Sequence, residues 1–217
     1  MSLSLNQSDL AEYLARLLTN HIPDQSGAQP HNIIDLERTL ERVEHSFSRI
    51  RSKYYAADGH IKFNHLNADH MASFLWFYSN EIWKTHDDDA WPSRLSYLNK
   101  ILHGIDLFYF VPMPSIFALV HPVGTVVGRG TFGDYLVLYQ QCNVGSSHGH
   151  YPSFGEGVVL YAGSTVLGDT QLGDNVVVGA GSMLINEKVP DGTLVTGRYP
   201  QVNHSSLGLS VRERFFN

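Results

Sequence analysis

Eleven apolar residues of this 217-residue chain obey one six-residue step. Val120, Val126, Phe132, Leu138 and Val144 stand six apart, and after one interruption Phe154, Leu160, Val166, Leu172, Val178 and Leu184 resume the same step. Neither an α-helix nor a half-buried strand repeats at that interval. Several of these residues are followed directly by glycine, as in Phe132-Gly133, Phe154-Gly155, Leu172-Gly173 and Val178-Gly179. The fifth position of many hexads is small or β-branched: Cys142, Val158, Ser164, Thr170, Val176 and Ser182. The pattern predicts a parallel β-helix, in which three hexads, about eighteen residues, close one triangular coil around the aliphatic positions.

Upstream of the coil the period changes to that of a helix. Ile33, Leu36, Leu40, Val43, Phe47, Ile50 and Tyr54 alternate steps of three and four, which predicts an amphipathic helix ending before Gly59. Before it, Ser8 is placed to cap a short helix through Leu10, Leu14, Leu17 and Leu18, followed by turn-rich residues from Asp24 to Pro30. After it, Asn67 caps a third helix, apolar nearly all round from Met71 to Ile82 and therefore central. Asp87, Asp88 and Asp89 read as the start of a fourth, with Pro92 in its first turn, Leu95, Leu98, Ile101 and Leu102 inward and Gly104 as its stop. The chain is thus expected to be α+β: a helical domain over 1–104, a connector over 105–119, the coil over 120–200 and a tail over 201–217.

Composition narrows the function. Twenty-one acidic against fifteen basic side chains give a net charge of -6, which disfavours nucleic acid as a partner. Residues Met1 to Leu10 carry no basic residue, and the most apolar stretch, Leu107 to Val120, is broken by Pro112 and Pro114, so neither an export signal nor a membrane span is expected. One cysteine, Cys142, allows no internal disulfide and suits a reducing, cytoplasmic setting; at an inward small position it reads as a packed thiol rather than a nucleophile.

The coil resembles the hexapeptide acyltransferases, and among them it is similar to serine acetyltransferases and related sugar O-acetyltransferases. The likeness rests on Val120-His121-Pro122, Val127-Gly128-Arg129-Gly130, Gly155-Glu156-Gly157-Val158, Val178-Gly179-Ala180-Gly181-Ser182, Val189-Pro190-Asp191 and Gly197-Arg198-Tyr199-Pro200, and on the preceding helical domain. It implies a left-handed coil, a homotrimer with a dimer of trimers as the larger assembly open to it, and acetyl-CoA as co-substrate without a metal. Two departures concern the acceptor. Where serine acetyltransferases carry an Asp-His pair early in the coil, this chain has Gly133-Asp134-Tyr135, and where they carry Gly-Asp-Arg-His-Pro it has Ser147-His148-Gly149-His150-Tyr151-Pro152.

The single break in the register, a step of ten instead of six from Val144 to Phe154, predicts a loop leaving the coil. Acetyl transfer from a thioester needs a base for the acceptor hydroxyl, and a loop histidine, His148 or His150, suits that task. Asp134 is a candidate to orient a histidine of a neighbouring chain. Ser146, Ser147 and Tyr151 offer hydrogen bonds and a ring to an acceptor, with His121 at the domain junction as a further contact. Ala162, Gly163, Ala180 and Gly181 keep one coil edge open for a pantetheine arm, and Lys188 and Arg198 are cations for the adenosine phosphates. Because the loop is neutral and hydroxyl-rich, a saccharide of a surface polysaccharide or its precursor ranks ahead of serine, and an amino-sugar nitrogen follows. A γ-type zinc carbonic anhydrase using His121, His148 and His150, and a noncatalytic trimeric scaffold, are the readings from other classes.

Overall fold

The computed structural model describes residues 1–24, 33–57, 59–86 and 89–217. Four helices precede the coil: α1 (Gln7–His21), α2 (Ile33–Phe47), α3 (Ala68–Thr85) and α4 (Ala90–His103). Helix α3 is the central one, with residues from His70 to Asn80 buried on every side between α2 and α4. Its cap is the expected one, Asn67 Oδ1 accepting from the backbone N–H groups of Asp69 and His70 at 3.0 and 3.3 Å. Gly104 ends α4 in the left-handed conformation, φ 64°.

Other helix boundaries differ from the sequence reading. The cap of α1 is Asn6, whose Oδ1 accepts from Asp9 N–H at 2.9 Å, and Ser8 lies inside the helix. Helix α2 stops at Phe47 although the apolar spacing runs on: Ile50 is buried by an isolated β-bridge to Phe216, far along the chain, and Tyr54 is exposed. Ile101 of α4 faces outward. Residues 25–30 of the expected turn-rich segment, and Asp87 and Asp88, lie outside the described residues; Asp89 is the N-cap of α4 without a side-chain cap bond. A small sheet of β1 (Ser2–Leu3), β2 (Ala56–Ala57) and β3 (His60–Phe63) joins this domain, its strands too short to show a period.

The coil is a left-handed parallel solenoid of about five turns. Face A stacks β4 (Asp106–Leu107), β6 (Val126–Val127), β9 (Asn143–Gly145), β12 (Thr165–Leu167) and β15 (Met183–Ile185). Face B stacks β5 (Phe117–Leu119), β8 (Leu136–Leu138), β11 (Val159–Leu160), β14 (Val177–Val178) and β17 (Thr193–Arg198). Face C stacks β7 (Thr131–Phe132), β10 (Ser153–Phe154), β13 (Gln171–Leu172) and β16 (Lys188–Val189). Phe154, Leu160, Val166, Leu172, Val178 and Leu184 point inward as the hexads require, with Cys142, Val158, Ser164, Thr170, Val176 and Ser182 buried beside them.

Both ends of the coil depart from the strict repeat. Leu138 pairs with Leu119 and Val144 with Val127, so Leu119 and Val127 take the inward places expected of Val120 and Val126, and Val126 is exposed. Leu119 and Val127 stand eight apart across the long corner from Val120 to Thr125, which carries His121-Pro122 and a left-handed Gly124, and Val127 and Phe132 stand five apart, so the six-residue step begins only at Phe132. Strands β4 and β5 lie in the stretch expected as a connector, so the coil begins earlier than residue 120. At the far end Val189 and Val195 continue the buried column past Leu184.

The expected tail is a structural element. Strand β18 (Gln201–Ser206) folds back antiparallel on β17, and α5 (Val211–Phe215), closed by a Ser210–Glu213 capping box, packs on face B. Val211 N–H donates to Asn175 Oδ1 at 2.7 Å, Arg212 lies over the Tyr135 ring and Arg214 over that of Tyr161. The outward side chains Val137, Val159 and Val177 of face B are consequently buried. The last residues then reach the helical domain, Phe215 and Arg49 carbonyls accepting from Arg51 and Asn217 N–H at 2.8 and 2.7 Å.

Candidate active site

The three edges of the prism carry different parts of the expected site. The excursion leaves the A/C edge, between β9 and β10, and it is a tight hairpin. Ser147 and His150 exchange both backbone hydrogen bonds at 3.1 Å, and His148 and Gly149 form the turn with φ 50° and 81°. Positive φ at both positions is what a two-residue hairpin turn demands, and glycine supplies one of them without strain. His148, which counts as the last small-residue position of the repeat, therefore stands at the hairpin tip. Ser146, His148, His150 and Tyr151 are exposed, and Ser147 rests against Gly168 of the next coil.

Asp134 lies on the B/C edge. Its Oδ1 accepts the N–H of Ile116, one coil earlier, at 3.0 Å. Asp174 and Asp191 do the same for Glu156 and Asp174, both at 2.8 Å, so Asp134 belongs to a column of carboxylates that tie one coil corner to the next. The same edge holds Tyr135, φ 65°, its ring against Phe216 at 5.2 Å.

His121, Ala162, Gly163, Ala180 and Gly181 share the A/B edge. Gly163 and Gly181, φ 70° and 68°, turn this corner, and a Cβ at Gly181 would meet nothing within 4 Å, so the edge is open to solvent. Their N–H groups are occupied between coils, donating to Gln140 and Ala162 carbonyls at 2.9 Å. Gln140 contributes a buried Oε1 with no partner among the described residues. Arg198 flanks the edge next to Met183 on face A, whereas Lys188 pairs with Gln171 on face C, across the prism. Cys142 is fully buried with Sγ 3.4 Å from the Leu160 and Tyr161 carbonyl oxygens, and burial pushes its thiol pKa up.

One chain thus brings the histidine hairpin, Asp134 and the open edge to separate edges. It does assemble a cavity of about 580 Å³ where the helical domain, the first coil and the C-terminal segment meet. Arg51, Ser52, Tyr55, Asp69, His121 and Tyr139 line it. Asp69 Oδ1 accepts His121 N–H at 3.0 Å and its Oδ2 lies 3.9 Å from His121 Nδ1. Burial raises the Asp69 pKa, and the bond and charge of His121 oppose that rise. Sequence reasoning reached only His121 here. Asp69 reads locally as a first-turn helix carboxylate, and its partner lies fifty-two residues away, so no local signal marks the cavity.

Residues 151–186 match the family of bacterial transferase hexapeptide repeats. A serine acetyltransferase of Synechococcus elongatus is 33% identical over 109 residues, covering 48% of this chain and 45% of that protein. One of Staphylococcus epidermidis is 30% identical over 108 residues, 48% of this chain and 50% of the relative. The matched stretch spans about half the length of these curated relatives. Among solved structures, the serine acetyltransferase of Neisseria gonorrhoeae superposes with a TM-score of 0.72 at 20% identity, over 94% of this chain and 80% of that one. That of Brucella abortus, solved in complex with coenzyme A, gives 0.71 at 17% identity, over 95% and 84%. At such identities the superpositions establish a common fold, helices and coil together. No helix of the described residues is long and apolar enough to cross a membrane.

Proposed function

We propose that this chain, a transferase-type hexapeptide coil joined to a helical domain, is an acetyl-CoA-dependent O-acetyltransferase of the serine acetyltransferase kind. The observation that carries the reading is the sharing of one fold over almost the whole chain with serine acetyltransferases, one solved with coenzyme A and another with serine. The relatives named above favour serine over the saccharide ranked first from the hydroxyl-rich hairpin, so serine becomes the first acceptor and the saccharide the second.

The residues present fit the carrier. The Ala162, Gly163, Ala180 and Gly181 column leaves room for an extended arm. Arg198 is a cation beside that edge, and Lys188, on the opposite face, suits a neighbouring chain's cofactor instead. Because the histidine hairpin and the open edge lie apart within one chain, the complete site is built by a homotrimer, the hairpin of one protomer meeting the A/B edge of the next. His148 or His150 takes the proton of the acceptor hydroxyl, whose oxygen forms a bond to the thioester carbon. Collapse of the tetrahedral adduct breaks the carbon–sulfur bond, and the leaving thiolate takes up a proton to give free coenzyme A.

A thiol-release assay with acetyl-CoA against L-serine, nucleotide sugars and oligosaccharides tests this reading. Turnover of serine is the expected result. Turnover of saccharides alone would restore the first ranking, and no turnover of any acceptor would overturn the enzyme.

A further inference from the structure

An amino acid acceptor needs an anion for its ammonium and a cation for its carboxylate. The hairpin from Ser146 to Pro152 contains neither. The cavity at the junction of helices and coil contains both, in Asp69 and Arg51. We infer that this junction cavity is a binding site for a small α-amino acid, with Asp69 holding the ammonium and Arg51 the carboxylate. The inference rests on the acetyltransferase reading above and gives its acceptor a place.

The state of each group suits that role. The Asp69 side chain is only 18% exposed. One of its oxygens is committed to the His121 N–H, while Oδ2 has His121 Nδ1 at 3.9 Å, beyond hydrogen-bonding distance. A half-buried carboxylate with one uncommitted oxygen gains from a cation that replaces lost water. Arg51 donates one Nη1–H to the Glu213 carbonyl at 2.8 Å, which fixes the guanidinium and leaves its other N–H groups for a carboxylate. Ala118, Leu119 and Val137 form an apolar floor, and Tyr55 and Tyr139 wall it, so that water is partly excluded around Asp69, while Arg51 stands at the exposed side. His121 is at once a wall of the cavity and a corner of the A/B edge, so an amino acid held here borders the edge assigned to the acyl carrier. The volume of about 580 Å³ exceeds that of a small amino acid, leaving room for bridging water.

The test compares L-serine with L-serinamide, which lacks the carboxylate, and 3-hydroxypropionate, which lacks the ammonium, in the intact protein and in Asp69→Asn and Arg51→Gln. The expected result is a KM for serine raised roughly 10- to 100-fold by either substitution, the range for losing a hydrogen bond to a charged group, with the KM for acetyl-CoA unchanged. Arg51→Gln should also erase the preference for serine over serinamide, and Asp69→Asn that over 3-hydroxypropionate. These selectivity ratios report on contacts even where a variant is less stable. Calorimetric titration of L-serine gives the same comparison without turnover, so it separates failure of this site from failure of the acetyltransferase reading. Unchanged serine KM and unchanged selectivity in both variants, or unchanged serine affinity by calorimetry, would overturn the inference.

Discussion

Gly133 shows how a single atom is limited by the stacking of coils. A Cβ there would lie 2.6 Å from the backbone C and O of Gly155, one coil on, without any positive φ being involved. The glycine is required by contact, whereas Gly163, φ 70°, is required by conformation. Gly133→Ala is expected to cost about 1 to 3 kcal/mol through overpacking, read as a lower urea midpoint with unchanged slope. Buried histidines set a second residue-scale property. His70 is fully buried among Phe47, Tyr55 and Phe63, with Nδ1 accepting the Asn64 N–H at 3.1 Å, and burial lowers its pKa to about 4; burial lowers that of His103 to about 4 as well. Between the unfolded value of 6.5 and about 4 the unfolded chain binds protons that the native state refuses, so stability falls as pH falls through that window. His70→Gln should remove part of this acid loss and His103→Gln a further part, checked by urea unfolding at pH 4, 5 and 7. A loss of stability that neither substitution reduces would contradict the assignment.

At the scale of elements, α5 and the residues after it add a bridge between coil and helical domain to the direct contacts of α3 with β5. Phe216 is 1% exposed, pairs its backbone with Ile50 and sets its ring against Tyr135. Phe216→Ala should cost about 3 to 5 kcal/mol, the range for removing a buried aromatic, and thermal unfolding would read it as a lower Tm. A protein that unfolds at the unchanged temperature would show that the tail only rests on face B. Helices α3 and α4 were legible because Asn67, Pro92 and Gly104 act through backbone geometry within a turn of themselves. The end of α2 was not, because Ile50 keeps the helical spacing while its backbone is taken by Phe216. The hairpin was legible as four surplus residues and its form was not, since the turn is closed by bonds between Ser147 and His150.

For the whole molecule, separate edges for the hairpin and for the column proposed to hold the carrier make complementation the decisive measurement. A variant lacking both hairpin histidines, His148→Ala with His150→Ala, should lose roughly 100- to 10,000-fold in turnover. A second variant, Gly181→Trp, should block the A/B edge. Trimers refolded from a 1:1 mixture should recover about a quarter of normal activity, because random assembly pairs an intact hairpin with an intact edge at about one interface in four. No recovery, with mixed trimers shown by mass spectrometry, would place the site within one chain. The sequence alone determined the coil, because inward residues repeat every six positions whatever their neighbours, and it determined the helices with local caps. It also marked the hairpin by the break in that repeat. Tertiary structure decided that Leu119 and Val127 rather than Val120 and Val126 face inward, that Asp134 ties coil to coil, and that Asp69, Arg51 and His121 share a cavity. Each of these depends on which turn of the coil or which helix comes to lie alongside, a distance in space that a one-dimensional period does not encode.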